Sequence, residues 1–269
     1  MSTQLSVAAD PQAEAAGAVS AVVASLPVSF RPKADRPDVV AIAGRAGWTV
    51  QAVDAIRGGA KGVVVSSPVA EDAATLSAAA DAAGAIVVLD QRWAGNAALR
   101  ASNGNVHGIL AAALEDAVLL DSVAIAVPGT DLLQLLTEQL AILVQCGIEA
   151  GSIRMVQRNG NGYTVAGSLR GGAPVALQGI LTSALAPTAS LSILTPSGRA
   201  DVVLPDPAAA WPAEIRSVTL DGATTLPTLY ESSHRSSWCK VRDHLAAGTS
   251  ANDLAQFTTV LSLLNQLNS

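Results

Sequence analysis

Aromatic residues are scarce in this chain: two Phe, two Tyr and four Trp among 269 residues. The core must instead be built from Ala, Val, Leu and Ile, whose small side chains suit closely packed helix-on-sheet layers. Charge is also sparse, at 14% of residues against 50% apolar, the opposite of the composition that keeps a chain disordered. Cysteine is almost absent. Cys146 and Cys239 have no CxxC spacing, so no disulfide framework is expected, only two buried thiols in a reducing, bacterial-type cytoplasm. A chain this long needs no such staple, and it has room for one large domain or two modest ones.

Sixteen basic residues against twenty-two acidic give a net charge of −6, without a Lys/Arg stripe or basic-aromatic interleaving. Nucleic acid is therefore not an expected partner. The uncharged stretch 15–30 follows Asp10 and Glu14 and no Lys or Arg, unlike a secretion signal. A second uncharged stretch, 171–198, is broken by Pro174, Pro187 and Pro196, which suits strands and turns better than a membrane span. The expected setting is the cytoplasm, with no membrane partner.

Periodicity divides the chain into two styles. Asp10 and Pro11 read as an N-cap and first helical residue, and Ala15, Val19, Val22, Val23 and Leu26 mark one face of an amphipathic helix. Apolar runs without alternation at 39–43, 62–65 and 85–89 have the length of strands buried on both faces. Between them lie helical patterns: Val50, Val53 and Ile56 after a Thr49 cap and before Gly58, then Ala73, Leu76, Ala80 and Ala83 ending at Gly84. Strand and helix in alternation predict a parallel α/β layer with right-handed crossovers over residues 1–121.

From 122 to 269 a second domain is expected. A strand at 122–127 leads to a helix capped by Asp131 and marked by Leu132, Leu135, Leu136, Leu140 and Leu143, ending at Gly147. Runs at 155–158 and 163–169 flank Asn159-Gly160-Asn161-Gly162, a turn in which Asn and Gly accept positive φ, so they predict a hairpin. Further runs at 175–182, 191–194, 201–204 and 215–220, punctuated by Gly and Pro, complete one mainly antiparallel sheet. Two closing helices follow. Trp238, Val241 and Leu245 mark the first, and a Ser250-x-x-Asp253 capping box opens the second, with Leu254, Phe257, Leu261 and Leu264.

This order resembles the Gfo/Idh/MocA family of glucose-fructose oxidoreductases and inositol dehydrogenases. The resemblance rests on Gly62-Val63-Val64-Val65-Ser66-Ser67-Pro68 with the helix ending Ala82-Ala83-Gly84 and the strand 85–89, on the helix 132–147, and on the segment 236–264. It implies a Rossmann-like layer followed by an open antiparallel sheet, and it implies a nicotinamide cofactor. The fingerprint G-x-G-x-x-G, which lets a pyrophosphate approach helix N-terminal amides, is missing, and residues 5–10 read as the family's second strand, as though the first had been deleted. Gly44 and Gly47, between the strand 39–43 and the next helix, are the only glycine pair in a comparable setting. With Ser66, Ser67 and Pro68 they are the candidate cofactor contacts.

Where the family has E-K-P with a catalytic Lys, this chain is aligned at Asp90-Gln91-Arg92-Trp93, and Gln91 cannot carry a proton while the Arg92 guanidinium does not usefully release one. Gln134 and Glu138 fall at the Asp and His positions of the family's D-x-x-x-H. A cluster from Tyr230 to Trp238 joins strand to helix and contains His234. Gln91, Arg92, Glu138 and His234 are thus the candidate catalytic residues. His234, Cys239 and His244, spaced five apart, point to different sides of a helix, so no metal is expected. His107 lies among Asn103, Gly104, Asn105 and Gly108 and reads as a surface loop.

The departures lead to the expectation of a catalytically silent, oxidoreductase-like protein without a cofactor, serving as a ligand-binding subunit, or as a homo-oligomer or partner-enzyme subunit through its antiparallel sheet. The alternative is an NAD- or NADP-dependent oxidoreductase acting on a sugar or polyol through an atypical cofactor site. Either class could take a small polar ligand.

Overall fold

A computed structural model describes residues 4–33, 35–100, 105–206, 208 and 211–267. The chain divides into two compact units, 1–95 with 233–258, and 96–232 with 259–269. The chain passes between the units after 95, 232 and 258, and the segment 233–258 belongs with the first unit.

In the first unit, β1 (Leu5–Ala9) leads to α1 (Pro11–Gly17) and α2 (Val19–Ala24), then β2 (Phe30–Pro32), β3 (Val39–Ala43), α3 (Trp48–Arg57), β4 (Gly62–Ser66), α4 (Ala74–Ala83) and β5 (Ile86–Asp90). All strand pairs are parallel, in the order β2-β1-β3-β4-β5. The apolar runs become β3, β4 and β5, and β4 and β5 are buried along their whole length, as strands covered on both faces must be. One expected helix is two. Ala18 adopts a left-handed φ of 46°, and the break lets the Glu14 carboxylate accept from Ser20 N and Oγ at 2.8 and 2.9 Å, capping the second helix. Ser6 and Asp38 tie β1 to the entrance of β3: Ser6 N and Oγ donate to Asp38 Oδ2 at 2.9 and 2.7 Å.

β1 lies between β2 and β3, and β3 lies beside β4. In chain order this is the 2-1-3-4-5 arrangement of doubly wound sheets.

The second unit holds α5 (Val106–Glu115), β6 (Leu119–Ala126), α6 (Leu132–Gln145), β7 (Ala150–Asn159), β8 (Gly162–Leu169), β9 (Pro174–Leu181), β10 (Thr188–Thr195), β11 (Gly198–Leu204), β12 (Glu214–Thr219) and β13 (Gly222–Thr225). They form one eight-stranded sheet, β13-β12-β11-β10-β6-β9-β8-β7, antiparallel except where β6 pairs with β9. Burial alternates along β6 and β10, so one face of the sheet carries the core. Asp131 Oδ1 accepts from Leu133 N and Gln134 N at 2.7 and 2.9 Å and caps α6 as expected. The β7–β8 hairpin also forms, although neither Gly160 nor Asn161 has positive φ; Asn161 N instead donates to Asn159 Oδ1 at 2.8 Å, an Asx turn that does the same work.

Beyond β13 come α7 (Ser233–Ala247) and α8 (Asp253–Gln266). Trp238 and Val241 of α7 are fully buried among Val7, Phe30, Val64 and Val88 of the first unit. Trp238 meets Phe30 edge to face at 5.2 Å and 86°. Among the described residues no helix is long and apolar enough to cross a membrane.

Candidate functional site at the carboxyl edge of the parallel sheet

In open α/β sheets, ligands bind outside the carboxyl ends of the strands. At that edge in the first unit, β1 is followed by Asp10 and β3 by Gly44, β4 ends at Ser66 before Ser67 and Pro68, and β5 ends at Asp90. These segments lock together through backbone hydrogen bonds: Gly44 N donates to Ser66 O at 2.8 Å, Val69 N to Gly44 O at 2.7 Å, and Ser67 N to Asp90 O at 3.0 Å. Ser67 takes a left-handed φ of 53° to make the turn.

Asp90 is the centre of the edge. Its side chain is fully buried, and a buried carboxylate needs partners. It has three. His234 Nδ1 lies 2.7 Å from Oδ2, Ser237 Oγ donates to Oδ1 at 3.0 Å, and Ser66 Oγ approaches Oδ2 at 3.4 Å. Ser233 Oγ donates to Arg92 O at 2.8 Å, and Ser237 Oγ also bonds Ser233 O, so the first turn of α7 is fixed on the segment after β5. Two glycines permit these approaches. A Cβ on Gly17 would stand 2.4 Å from Ser66 Oγ, and one on Gly95 would stand 2.8 Å from Gln91 O. A second buried carboxylate, Asp253, turns away from the expected capping box with Ser250: it accepts from Leu89 N at 2.8 Å and pairs with Lys240.

The helix N-termini beside this edge are filled by the chain's own carboxylates. Asp10 Oδ1 accepts from Gln12 N and Ala13 N at 2.8 and 2.6 Å, with Pro11 opening α1. Glu71 accepts from Gly47 N at 2.9 Å and from Thr49 Oγ1 at 2.7 Å, so Thr49 lies inside α3 and is not its cap. Gly44 serves packing: a Cβ there would lie 2.3 Å from Pro68 Cα. At the start of α1 the Gln12 and Ala13 amides are thus taken by Asp10, and at the start of α3 Gly47 N is taken by Glu71 and Trp48 N by Arg45 O. A carboxylate therefore already stands at each helix start where a pyrophosphate would sit in a glycine-rich loop.

Of the expected catalytic residues, His234 stands at this edge on Asp90, and Arg92 lies over the Trp93 ring at 5.3 Å. Gln91 follows β5 and is half-buried. Glu138 belongs to the second unit, buried in α6. Ser66 meets Asp90, and Gly44, Ser67 and Pro68 form the turn beside it. The cluster 230–238 divides: Tyr230 is exposed, His234 and Ser237 converge on Asp90, and Trp238 enters the core. His107 opens α5, with Nε2 3.2 Å from Leu99 O, so it is helical and not in a loop; Asn103 and Gly104 lie outside the described residues. Among the described residues no group of three His, Cys, Asp or Glu could hold a metal ion. From sequence Asp10 reads as an N-cap, which it is, and Asp90 is aligned beside Gln91, but neither they nor Glu71 read as residues of this edge. Asp90 had a readable signal, since an Asp closing a buried apolar run must be matched by a partner.

No family model matches the chain, and no curated protein matches it. Solved structures do. A mutant 3-ketoreductase from Actinomadura kijaniata, in complex with TDP-benzene and NADP, matches with a TM-score of 0.70 at 13% identity, covering 99% of this chain and 97% of that one. A UDP-N-acetylglucosamine 3-dehydrogenase from Acidithiobacillus ferrooxidans matches at 0.65 and 14% identity, and an oxidoreductase from Sinorhizobium meliloti at 0.70 and 10%, each covering 99% of this chain and 97% of the other. The chain thus has the two-part fold of these oxidoreductases: a parallel Rossmann-like sheet and a mostly antiparallel second sheet. The expectation of a chain without a cofactor is overturned by this finding, because the matching structures include an NADP complex.

Proposed function

We propose that this protein is an NAD- or NADP-dependent oxidoreductase of the Gfo/Idh/MocA type, acting on a sugar or polyol through an atypical nucleotide seat. The observation that carries the reading is the likeness in fold over 99% of the chain to an NADP-bound 3-ketoreductase. A UDP-N-acetylglucosamine 3-dehydrogenase of the same fold supports the sugar class of substrate. The seat is atypical because Asp10 and Glu71 hold the helix N-terminal amides. No part in holding the nucleotide is assigned to those amides. Titration of the purified protein with NADP and with NAD, followed by calorimetry, tests the proposal. Saturable binding tighter than about 1 mM, equivalent to roughly 4 kcal/mol, supports it, and its absence for both nucleotides overturns it.

A further inference from the structure

We propose that His234 is the proton-transfer residue of this site and that Asp90 is its positioning residue. The inference rests on the oxidoreductase reading for its substrate, a hydroxyl-bearing sugar or polyol. The arrangement itself is independent of that reading.

Three observations lead to it. The Asp90 side chain is 0% exposed while that of His234 is 15% exposed, so the carboxylate lies within the fold and the imidazole reaches the surface of the strand edge. The contact at 2.7 Å engages Nδ1, so a neutral ring held by an ionised carboxylate has its proton on Nδ1 and its lone pair on Nε2. Ser237 and Ser66 supply hydroxyls to the same carboxylate, which fixes it from two further sides. The other two histidines lack this setting: His107 meets a backbone carbonyl, and His244 Nδ1 meets Thr249 Oγ1 at 2.9 Å. A buried carboxylate that fixes the tautomer and orientation of an imidazole is the arrangement by which a histidine serves as acid or base.

The step assigned is proton transfer alone. A substrate O–H bond breaks and an N–H bond forms at His234 Nε2, leaving an alkoxide and an imidazolium that faces the Asp90 carboxylate. In the opposite direction the imidazolium returns the proton to an alkoxide.

The test has two arms. In protein labelled with 15N-histidine, long-range 1H–15N spectra should show neutral His234 as the Nδ1–H tautomer; an Nε2–H tautomer overturns the proposal. In the second arm, NADP is supplied with D-glucose, myo-inositol and UDP-N-acetylglucosamine as probes. His234→Gln should lower kcat at least 100-fold with KM within threefold, while His244→Gln stays within twofold of the unsubstituted protein. Asp90→Asn should lower kcat and lose the Nδ1–H signature. Because that variant leaves a buried amide and can fail to fold, His234→Gln and the tautomer of the unsubstituted protein carry the decision. Turnover that persists in His234→Gln overturns this inference and leaves the oxidoreductase reading standing. If neither NADP nor NAD binds, the reading fails and takes the inference with it. If NADP binds but no probe turns over, the tautomer decides.

Discussion

The Asp38 carboxylate accepts from Lys61 and Ser6. Lys61 Nζ donates to Oδ1 at 2.8 Å, and Ser6 donates to Oδ2 from both its backbone and its hydroxyl. The Lys61 hydrogen bond and then those of Ser6 hold its carboxyl well below the usual carboxylate range. A carboxyl with a depressed folded-state pKa stabilises fully above the unfolded value near 3.9, and that contribution is lost as the pH falls below it toward the folded value. Asp38→Asn should remove this part of the acid sensitivity, read as a shallower fall of Tm between about pH 4 and pH 2; an unchanged slope would contradict the assignment. Cys146 makes the opposite case. Burial alone pushes its thiol up to about 12, so it should resist iodoacetamide at pH 8 in the folded protein and react only on denaturation. Labelling of native Cys146 within minutes would show that α6 opens.

At the scale of elements, a polar network ties α6 to the second sheet. Tyr163 of β8 donates to Gln139 Oε1 at 2.8 Å, and Gln139 Nε2 donates to Ser122 O and Oγ of β6 at 3.0 and 2.9 Å. Burial raises the pKa of the Tyr163 phenol, which keeps it a donor. Tyr163→Phe leaves a buried amide oxygen without that donor and should cost about 1–3 kcal/mol in urea unfolding, with an unchanged m-value. A change within about 0.3 kcal/mol would mean that the network is slack. Elements were largely legible from the sequence where period and punctuation agreed: β3, β4 and β5 as apolar runs, α4 ending at Gly84, α6 behind Asp131, and the hairpin around Gly160. Helix breaks were not. Ala18 has no side chain that announces a left-handed turn, and the close approach of its neighbour Gly17 to Ser66, some fifty residues on, is not recorded locally either. β2 and β13 are too short for any period to show.

At the scale of the whole molecule, the order of layers could be read but the order of strands could not. Parallel pairing of β1 with both β2 and β3 is a long-range fact that no local pattern records. The pattern Trp238, Val241, Leu245 predicts a helix but cannot say which sheet it packs on, and α7 joins the first unit. That choice builds the candidate site. His234 is legible as a candidate and Asp90 as a carboxylate that needs a partner, but that each is the other's partner emerges only when 144 residues of separation close to 2.7 Å. The same arithmetic explains the helix N-termini: Glu71 reaches Gly47 across 24 residues, and no local motif records it.

Nucleotide binding is where the fold and the local chemistry pull in opposite directions. The whole-chain likeness favours a dinucleotide, while Asp10 and Glu71 hold the amides that a pyrophosphate would use. Calorimetric titration with NADP tests the central claim most directly. The account predicts one saturable site tighter than about 1 mM, with an affinity that depends on the nucleoside ends more than on the phosphates, so that inorganic pyrophosphate at tenfold excess does not displace it. No heat of binding from either NADP or NAD at millimolar concentration would contradict it.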